Sequence, residues 1–344
     1  MSEWQLVGQG RVITMLQRSL EKGFLAHAYL FIGLPHVGKM TLALNLAKAL
    51  NCEGVGVPCG KCVPCQKIAQ GKHADVQIIG LVKASGNNGD KTRTEIGIDQ
   101  IRQLQHSASL PPFEGRYKVF IIDGAEHLSI EAANCLLKTL EEPAASMVFV
   151  LLTTNIGLLP DTVISRCQRL ELLPMPAGEV ENALTGHWGI EPQKAKLLSR
   201  LCHGCFGWAL SAAVGDDLLK QYYERRSGIL DIISTGCEDS FAYAAQLATQ
   251  FSQRRGFTQE VLGLWLDLWR DLLLIKTGFA EAITNIDIKK ALTDLERDFS
   301  LAEVRNFINS IQVAMEQLGQ NANPRLVLEV LMLDIPKRRG KVRS

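Results

Sequence analysis

A glycine-rich loop between an apolar run and a helical pattern places the strongest constraint on the fold of this chain. The loop, residues 33–41 with the sequence GLPHVGKMT, follows the predicted strand Ala28–Ile32 and leads into the predicted helix Lys39–Leu50. The pattern G-x-x-x-x-G-K-[ST] at such a junction surrounds phosphate groups with backbone N–H groups at a helix N-terminus. We therefore predict a sheet flanked by helices, with an ancestral nucleotide site at this loop.

The loop departs from that pattern at the position of the magnesium ligand. Gly33, Gly38 and Lys39 are in place, but Met40 occupies the Ser/Thr position. A thioether is a poor ligand for a cation that prefers oxygen. Thr41 carries a hydroxyl one residue later, where a helix has turned by about 100°. We leave open whether the site still binds ATP and Mg²⁺, and we do not expect efficient hydrolysis; a loop kept only for its backbone shape is the alternative.

A second candidate part of the nucleotide site is also altered. Lys118–Asp123 is an apolar run that ends in an aspartate, as in a Walker B strand that places its carboxylate beside the metal. Gly124 follows Asp123 where hydrolysing ATPases of the AAA+ kind have a glutamate, and Glu126 comes too late in the chain to replace it. The sequence therefore lacks both the metal-binding hydroxyl and the general base.

Alternating strand and helix patterns continue through the first half of the chain, as in parallel sheets with helices on both faces. The further predicted strands are Val76–Gly80, Val148–Thr153 and Arg169–Leu172. The further predicted helices are Ile98–Ser107 and Ile130–Glu142, the second capped by Ser129 and stopped by Pro143. Residues 83–93, KASGNNGDKTR, are predicted to form an exposed loop.

Helical patterns alone fill the second half, after the proline-containing segment Leu173–Gly178. Val261–Ile275 and Leu301–Leu318 are the clearest, and a break near Gly215–Asp217 divides this half in two. Trp265 and Trp269 are expected on a packed helix face rather than on a platform for bases. We predict an α/β domain over residues 1–173, a small helical domain over 174–213, a larger all-α domain over 214–336 and a basic tail over 337–344.

Four cysteines within fourteen residues form a second candidate site. They are Cys52, Cys59, Cys62 and Cys65. In a reducing compartment this spacing indicates a metal site rather than disulfides. Four thiolates fit a tetrahedral structural Zn²⁺ that has no open position for catalysis. An iron–sulfur cluster is the alternative.

Composition limits the class of protein. With 47% hydrophobic residues, 21% charged residues and a formal net charge of +1, the chain is expected to be globular and, as a whole, not an electrostatic nucleic-acid binder. No apolar run approaches the roughly 18 residues of a membrane span, and no secretory signal is visible, so we expect a cytoplasmic protein. The tail is expected to be a solvated end or, alternatively, a phosphate contact; its basic residues are Lys337, Arg338, Arg339, Lys341 and Arg343.

Several runs around the two candidate sites resemble one family of nucleotide-binding proteins. They are Leu6–Gln9, His27–Phe31, Glu131–Pro143, Thr153–Asn155 and Ser165–Cys167. Together with the glycine-rich loop, the cysteine cluster and Asp123, and in this order, they resemble the AAA+ subunits of bacterial DNA polymerase III clamp loaders, in particular the γ/τ and δ′ subunits. The resemblance is dense over residues 6–172 and returns weakly at Asn323–Leu326.

The resemblance implies a fold and a set of partners. The fold is a RecA-like AAA+ α/β P-loop domain with a zinc module at 52–65, followed by a helical lid and an all-α collar. The collar joins a ring of five subunits with γ/τ and δ, and the complex meets the sliding clamp and primer–template DNA. Asn155 corresponds to sensor 1, and Arg166 to an arginine finger for the nucleotide of a neighbouring subunit. From the residues alone, a salt-bridged arginine is the alternative for Arg166.

The departures from the family pattern favour its δ′ branch. Met40 and Gly124 replace two working parts, and Gly207 stands near the place of the lid arginine called sensor 2, while Arg166 is kept. A non-hydrolysing stator of the clamp loader fits this combination. The alternatives are a γ/τ-like ATP-hydrolysing motor that uses Thr41 and Glu126, and a small-molecule P-loop kinase. No paired-carboxylate polymerase site is recognisable, so polymerase activity would belong to the holoenzyme.

Overall fold

A computed structural model describes Trp4 and residues 6–81, 95–234, 237–253, 255–320 and 322–338. The predicted loop at 83–93 and the tail residues Arg339, Lys341 and Arg343 lie outside these ranges. The chain divides into two compact units. One comprises Met1–Ala183 with His203–Trp208, and the other comprises Leu184–Cys202 with Ala209–Ser344. The division into lid and collar at residues 174 and 214 stays a prediction.

The first unit is built on a parallel five-stranded sheet with the order β2-β3-β4-β1-β5. Its strands are β1 (Ala28–Ile32), β2 (Val76–Ile79), β3 (Lys118–Asp123), β4 (Met147–Thr153) and β5 (Gln168–Glu171). All five lie within one residue of the predicted bounds, because nearly continuous apolar runs between turn residues identify strands covered on both faces. The predicted α/β P-loop fold class, with an all-helical second half, is confirmed.

Helices cover both faces of the sheet. They are α1 (Gly10–Glu21), α2 (Lys39–Asn51), α3 (Val63–Ala69), α4 (Ile98–Ala108), α5 (Ile130–Glu141) and the short α6 (Asp161–Ile164). Alternate side chains of β3 enter different cores: Val119 packs with α1 and α2, whereas Phe120 packs with α4 and α5. Ser129 caps α5 as predicted, since its hydroxyl accepts the N–H of Ala132.

The sheet positions the candidate site, since parallel strands bring their carboxyl ends to one edge. Ile32, the last residue of β1, pairs with Thr153, the last of β4, and Asp123 at the end of β3 pairs with Leu152. The glycine-rich loop, the aspartate and the segment after β4 therefore meet at this edge. Two 3₁₀ turns, Ala125–His127 and Ile156–Leu158, follow β3 and β4 there.

The remaining helices follow the sheet in the chain. They are α7 (Ala177–Trp188), α8 (Pro192–Leu201), α9 (Phe206–Val214), α10 (Asp216–Ser234), α11 (Cys237–Gln253), α12 (Arg255–Lys276), α13 (Lys289–Glu296), α14 (Leu301–Gly319) and α15 (Pro324–Leu333). The core of the second unit contains Trp265 and Trp269 of α12, both fully buried, against Phe307 of α14. Both tryptophans thus have the packing role expected from their spacing. No helix in the described ranges is long and apolar enough to cross a membrane.

Candidate nucleotide site and cysteine cluster

The glycine-rich loop follows β1 directly and ends at the first residue of α2. Gly33 lies against the residue that follows β5. A Cβ at position 33 would come within 2.7 Å of the Leu172 carbonyl oxygen. Gly38 has φ near +108°, a conformation that favours glycine, and a Cβ there would meet Leu6 at 2.8 Å. The structure therefore requires glycine at two of the three predicted motif positions, 33 and 38.

Lys39 is buried, and its own loop holds its ammonium group. Nζ donates to the carbonyl oxygens of Gly33 at 2.6 Å and Leu34 at 2.8 Å, and the residue is 9% exposed. Burial lowers the pKa of Lys39, although the nearby carboxylates of Glu126 and Asp123 act in the opposite direction. The charge that this motif directs to terminal phosphates is thus directed to two backbone carbonyls.

Met40 and Thr41 occupy different environments. The Met40 side chain is partly buried and packs against the core between the sheet and α1–α2. Thr41 is exposed, as expected for a residue about 100° further around the helix. Position 40 therefore takes part in packing, and it carries no oxygen for a cation.

The carboxylates of Asp123, at the end of β3, and Glu126, just after it, interact electrostatically with Lys39. Desolvation raises the pKa of Asp123, an effect that the Lys39 charge opposes. Burial also favours the neutral form of Glu126, but hydrogen bonds from Thr154 outweigh it and lower the pKa of Glu126. The Thr154 hydroxyl donates to Glu126 Oε1 at 2.6 Å and the Thr154 N–H at 3.1 Å. Glu126 is therefore ionised and fixed to the end of β4, with its Oε2 buried and without a hydrogen-bond partner among the described residues.

Asn155 lies at the same edge of the sheet, but its side chain caps the 3₁₀ turn that follows it. Its side-chain oxygen accepts the N–H of Gly157 at 3.0 Å and caps the 3₁₀ turn after β4. Its backbone N–H donates to the buried Thr153 hydroxyl at 3.1 Å. A sensor role for this amide stays a prediction.

The first turn of α9 contacts the glycine-rich loop, and the sequence did not predict this contact. The Gly207 N–H donates to the His36 carbonyl oxygen at 3.0 Å, and a Cβ at Gly207 would come within 2.7 Å of that oxygen. His36 itself has φ near +60°. Cys205, two residues before Gly207, is buried near the Lys39 ammonium, and this burial raises the pKa of its thiol. An arginine at 207 would not fit this closed arrangement.

Arg166 lies just after α6 and is partly exposed. Its guanidinium donates to Glu141 Oε1 of α5 at 2.6 Å and to the Thr162 carbonyl oxygen at 2.9 Å. The pair is only half-buried, with side-chain exposures of 35% and 51%. Ion pairs of this kind contribute about 1 kcal/mol or less, so the guanidinium is available for a stronger anionic partner.

The four clustered cysteines converge as predicted. Their sulfur atoms all lie within 4.8 Å of one another, and the Sγ atoms of Cys52 and Cys62 are 4.0 Å apart. A tetrahedral Zn²⁺ with Zn–S bonds of about 2.3 Å needs S···S distances of about 3.8 Å. The N–H groups of Lys61 and Cys62 point at the Cys59 sulfur and lower the pKa of that thiol to about 6. The donor set therefore fits a thiophilic metal ion.

Comparisons with known proteins agree with this arrangement. The family described as "DNA polymerase III, delta subunit" matches residues 8–176, and its C-terminal family matches residues 226–337. The δ′ subunit of Bacillus subtilis DNA polymerase III is 30% identical over 94% of this chain and 95% of its own length. The chain belongs to the family of DNA polymerase III clamp-loader subunits. The resemblance seen in the sequence motifs is thus confirmed at the level of the family.

Relatives in the family include tau subunits. The tau subunit of Salmonella typhimurium is 39% identical over 60% of this chain but only 32% of its own length. That of Escherichia coli is 30% identical over 95% of this clamp-loader chain and 52% of its own length. Among solved structures, a gamma subunit-related protein of Thermotoga maritima covers 95% of the chain at 17% identity with a TM-score of 0.45.

Proposed function

We propose that this clamp-loader subunit is a δ′-type stator, which does not hydrolyse ATP but supplies Arg166 to the nucleotide of a neighbouring subunit. The observation that carries the proposal is the contrast between two sites in one unit. Lys39 is engaged by the carbonyl oxygens of its own loop, whereas Arg166 lies at the surface in a weak ion pair. The full-length match to a δ′ subunit supports the same assignment.

The local structure of the altered positions supports the absence of hydrolysis. Met40 is partly buried and packs against the core, and Gly124 has φ near +74°, where a glutamate would be strained. A hydrolysing site needs a metal-binding hydroxyl and a group that activates water. Both positions therefore fit a loop that keeps the backbone shape of a nucleotide site without its chemistry.

The proposal includes the partners of the family. The subunit would join γ/τ and δ subunits in a pentameric ring in the cytoplasm, and it would meet the sliding clamp and primer–template DNA within that complex. The full-length δ′ relative and the match of the C-terminal family to residues 226–337 support membership of such a complex. Copurification with γ/τ and δ at defined stoichiometry is the corresponding measurement.

The test is steady-state ATP hydrolysis by the chain alone and by the reconstituted complex. We expect no activity from the chain alone, and a 10³-fold or larger fall in the rate of the site next to Arg166 when it is replaced by alanine, since trans-acting arginines contribute about 10³–10⁵. Arg166→Lys should also be impaired, because lysine lacks the planar bidentate fork. Arg169→Ala, on the exposed side of β5, is the matched control. An unchanged rate with Arg166→Ala would exclude the finger.

A γ/τ-like motor is the competing function, and one observation favours it. Glu126 is ionised, fixed by Thr154 and has one oxygen without a partner among the described residues, as a group that orients water would. The motor requires ATPase activity of the chain alone that disappears with Lys39→Ala and with Glu126→Gln. The stator predicts that neither substitution changes a rate that is already at background.

We also propose that the cysteine cluster binds one structural Zn²⁺. Cys52 would be supplied by the end of α2 and Cys65 by α3, so the ion would tie these helices together. Metal analysis should give about one zinc per chain, and Cys65→Ser should lose it, whereas Cys202→Ser, at a buried cysteine outside the cluster, should retain it. Iron with inorganic sulfide and visible absorption would instead establish an iron–sulfur cluster.

A further inference from the structure

The outer face of α1 carries a groove that the proposed function does not use. The groove is a shallow depression of about 540 Å³ that is open to solvent, and it is lined by α1 and the residues that follow it. The inner face of the same helix, with Val12, Ile13 and Leu16, is buried in the core of the first unit. The groove therefore belongs to a helix whose orientation is fixed, and its side chains are presented to solvent by a rigid support.

Positive charge follows the length of this groove. Arg11, Arg18 and Lys22 are exposed and line it, along about 16 Å of helix at a rise of 1.5 Å per residue. Among the described residues that line the groove, none is acidic, and the three cations take part in no ion pair within the described part of the chain. The sole carboxylate of α1 is Glu21, at its last position. The groove thus carries an uncompensated positive charge.

An exposed aromatic ring stands at the end of this line of charge. The chain leaves α1 through a Schellman motif, in which the Phe24 N–H donates to the Ser19 carbonyl oxygen at 3.0 Å and the Gly23 N–H to that of Leu20 at 3.2 Å. The Phe24 backbone is therefore fixed, yet the residue is 79% exposed. Burial of a phenylalanine side chain normally stabilises a fold, and the exposed ring of Phe24 does not make this contribution in the free chain.

This combination discriminates between anionic ligands. A basic groove with an aromatic ring at its side is the arrangement by which proteins hold single strands of nucleic acid, since the cations meet phosphates and the ring meets the face of an unpaired base. An acidic peptide would pair with the cations, but its carboxylates would not stack on the flat face of Phe24. A duplex would satisfy the cations while its bases stay stacked on each other.

We propose that this groove binds single-stranded DNA, with Arg11, Arg18 and Lys22 on successive phosphates and Phe24 stacked against a base. The inference rests on the proposed function in one respect, since it names a DNA contact for a clamp-loader subunit. It adds a contact on the outer face of α1, and it requires neither bound nucleotide nor Arg166.

Fluorescence anisotropy of a labelled oligo-dT with the full chain tests the proposal directly. Replacement of all three cations by alanine should weaken binding at least tenfold and reduce the slope of log Kd against log salt by about 2, at about 0.7 per cation for single strands. Phe24→Ala should weaken binding about fivefold or more, whereas Phe24→Trp should retain it and show quenching of the new tryptophan. All four side chains are exposed, and Arg18→Gln alone serves if the triple variant does not fold.

Matched controls separate the groove from general charge and general aromatic exposure. Arg297→Ala removes an exposed cation of the second unit, and Phe113→Ala removes another exposed phenylalanine of the first, 86% exposed; both should bind oligo-dT like the unaltered chain. Equal competition by a polyglutamate peptide, or no effect of the α1 substitutions, would overturn the proposal. Because the assay uses the chain alone without ATP, its failure is distinct from a failure of the Arg166 experiment.

Discussion

Gly124 shows how one backbone conformation decides what a residue position can carry. Its φ is near +74°, and a Cβ there would approach His127 Cδ2 to 2.9 Å. A side chain in this conformation costs about 1–2 kcal/mol before any contact is counted. The backbone conformation at position 124 therefore disfavours a glutamate after Asp123. A substitution of Gly124 by glutamate alone does not restore the geometry of a hydrolysing site.

We predict that Gly124→Ala lowers the free energy of unfolding by about 1–2 kcal/mol, measured by urea denaturation. Gly178→Ala, in α7 with open space around it, is the control and should be neutral or slightly stabilising. Gly124→Glu should leave the chain without ATPase activity. A stable Gly124→Glu variant that hydrolyses ATP would contradict this account.

Asp75 gives the molecule a specific sensitivity to acid. Its carboxylate is 2% exposed and accepts the N–H groups of Phe113, Glu114 and Gly115 at 2.7–2.8 Å. Burial alone would raise its pKa, but these three hydrogen bonds outweigh burial and hold the pKa below its usual value near 3.8. A carboxyl group with a depressed pKa stabilises the fold above its unfolded-state pKa, and this contribution is lost as the pH falls through the folded-state pKa.

Asp75→Asn should therefore destabilise the chain by about 1–3 kcal/mol near pH 7, because an amide cannot accept all three bonds. The difference from the unaltered chain should begin to shrink below about pH 4, where the carboxyl group of the unfolded chain becomes protonated, and it should be lost as the pH falls through the lower folded-state pKa. Urea denaturation at several pH values measures it. Asp99→Asn, at an exposed surface pair with Arg102, is the control and should change stability by less than about 0.5 kcal/mol at every pH.

At the scale of single elements, the beginning of α5 is set by one side chain. The Ser129 hydroxyl accepts the Ala132 N–H at 3.1 Å, which satisfies a donor that the helix cannot pair internally. We expect Ser129→Ala to lower the free energy of unfolding by about 1 kcal/mol and Ser129→Asp to retain most of it. Ser109→Ala, at the C-terminal end of α4, should change little in the same denaturation experiment. Equal effects of the two alanine substitutions would contradict a capping role.

Helices, strands and caps that are specified by neighbouring residues were predictable from the sequence. Contacts between segments far apart in the chain were not. The apolar run Lys118–Asp123 and the capping Ser129 specify their structure within a few residues. The four sulfur atoms converge because their spacing is short. The Gly207–His36 hydrogen bond joins segments far apart in the chain. It is a bond between backbone groups, so no side-chain pattern in the sequence indicates it. The engagement of Lys39 by its own loop likewise depends on a backbone path that the motif alone does not fix.

At the scale of the whole molecule, the two compact units coincide roughly with the two matched family regions. The large core cluster of the second unit lies between Ile229 and Met332, and all of its fully buried members except Phe299 belong to α10–α15. A fragment of residues 216–338 should therefore fold alone and unfold cooperatively, as measured by circular dichroism on heating. A fragment of 216–300, which lacks Phe307 and Leu328, should be helical at most in part and melt without cooperativity. Equal cooperativity of both would contradict this core.

The hydrogen bond from Gly207 to His36 has a consequence for any nucleotide that meets this chain. A phosphate that takes over the N–H donors of Lys39 now bound to Gly33 and Leu34 must displace those two bonds, and a loop that opens also breaks the bond from Gly207. Net contributions of about 1 kcal/mol for each of these three bonds would populate the closed form about 150-fold over the open one. The apparent dissociation constant then rises by the same factor, because only the open fraction binds. If a nucleotide binds here, its occupancy would depend on this internal equilibrium as well as on the nucleotide concentration.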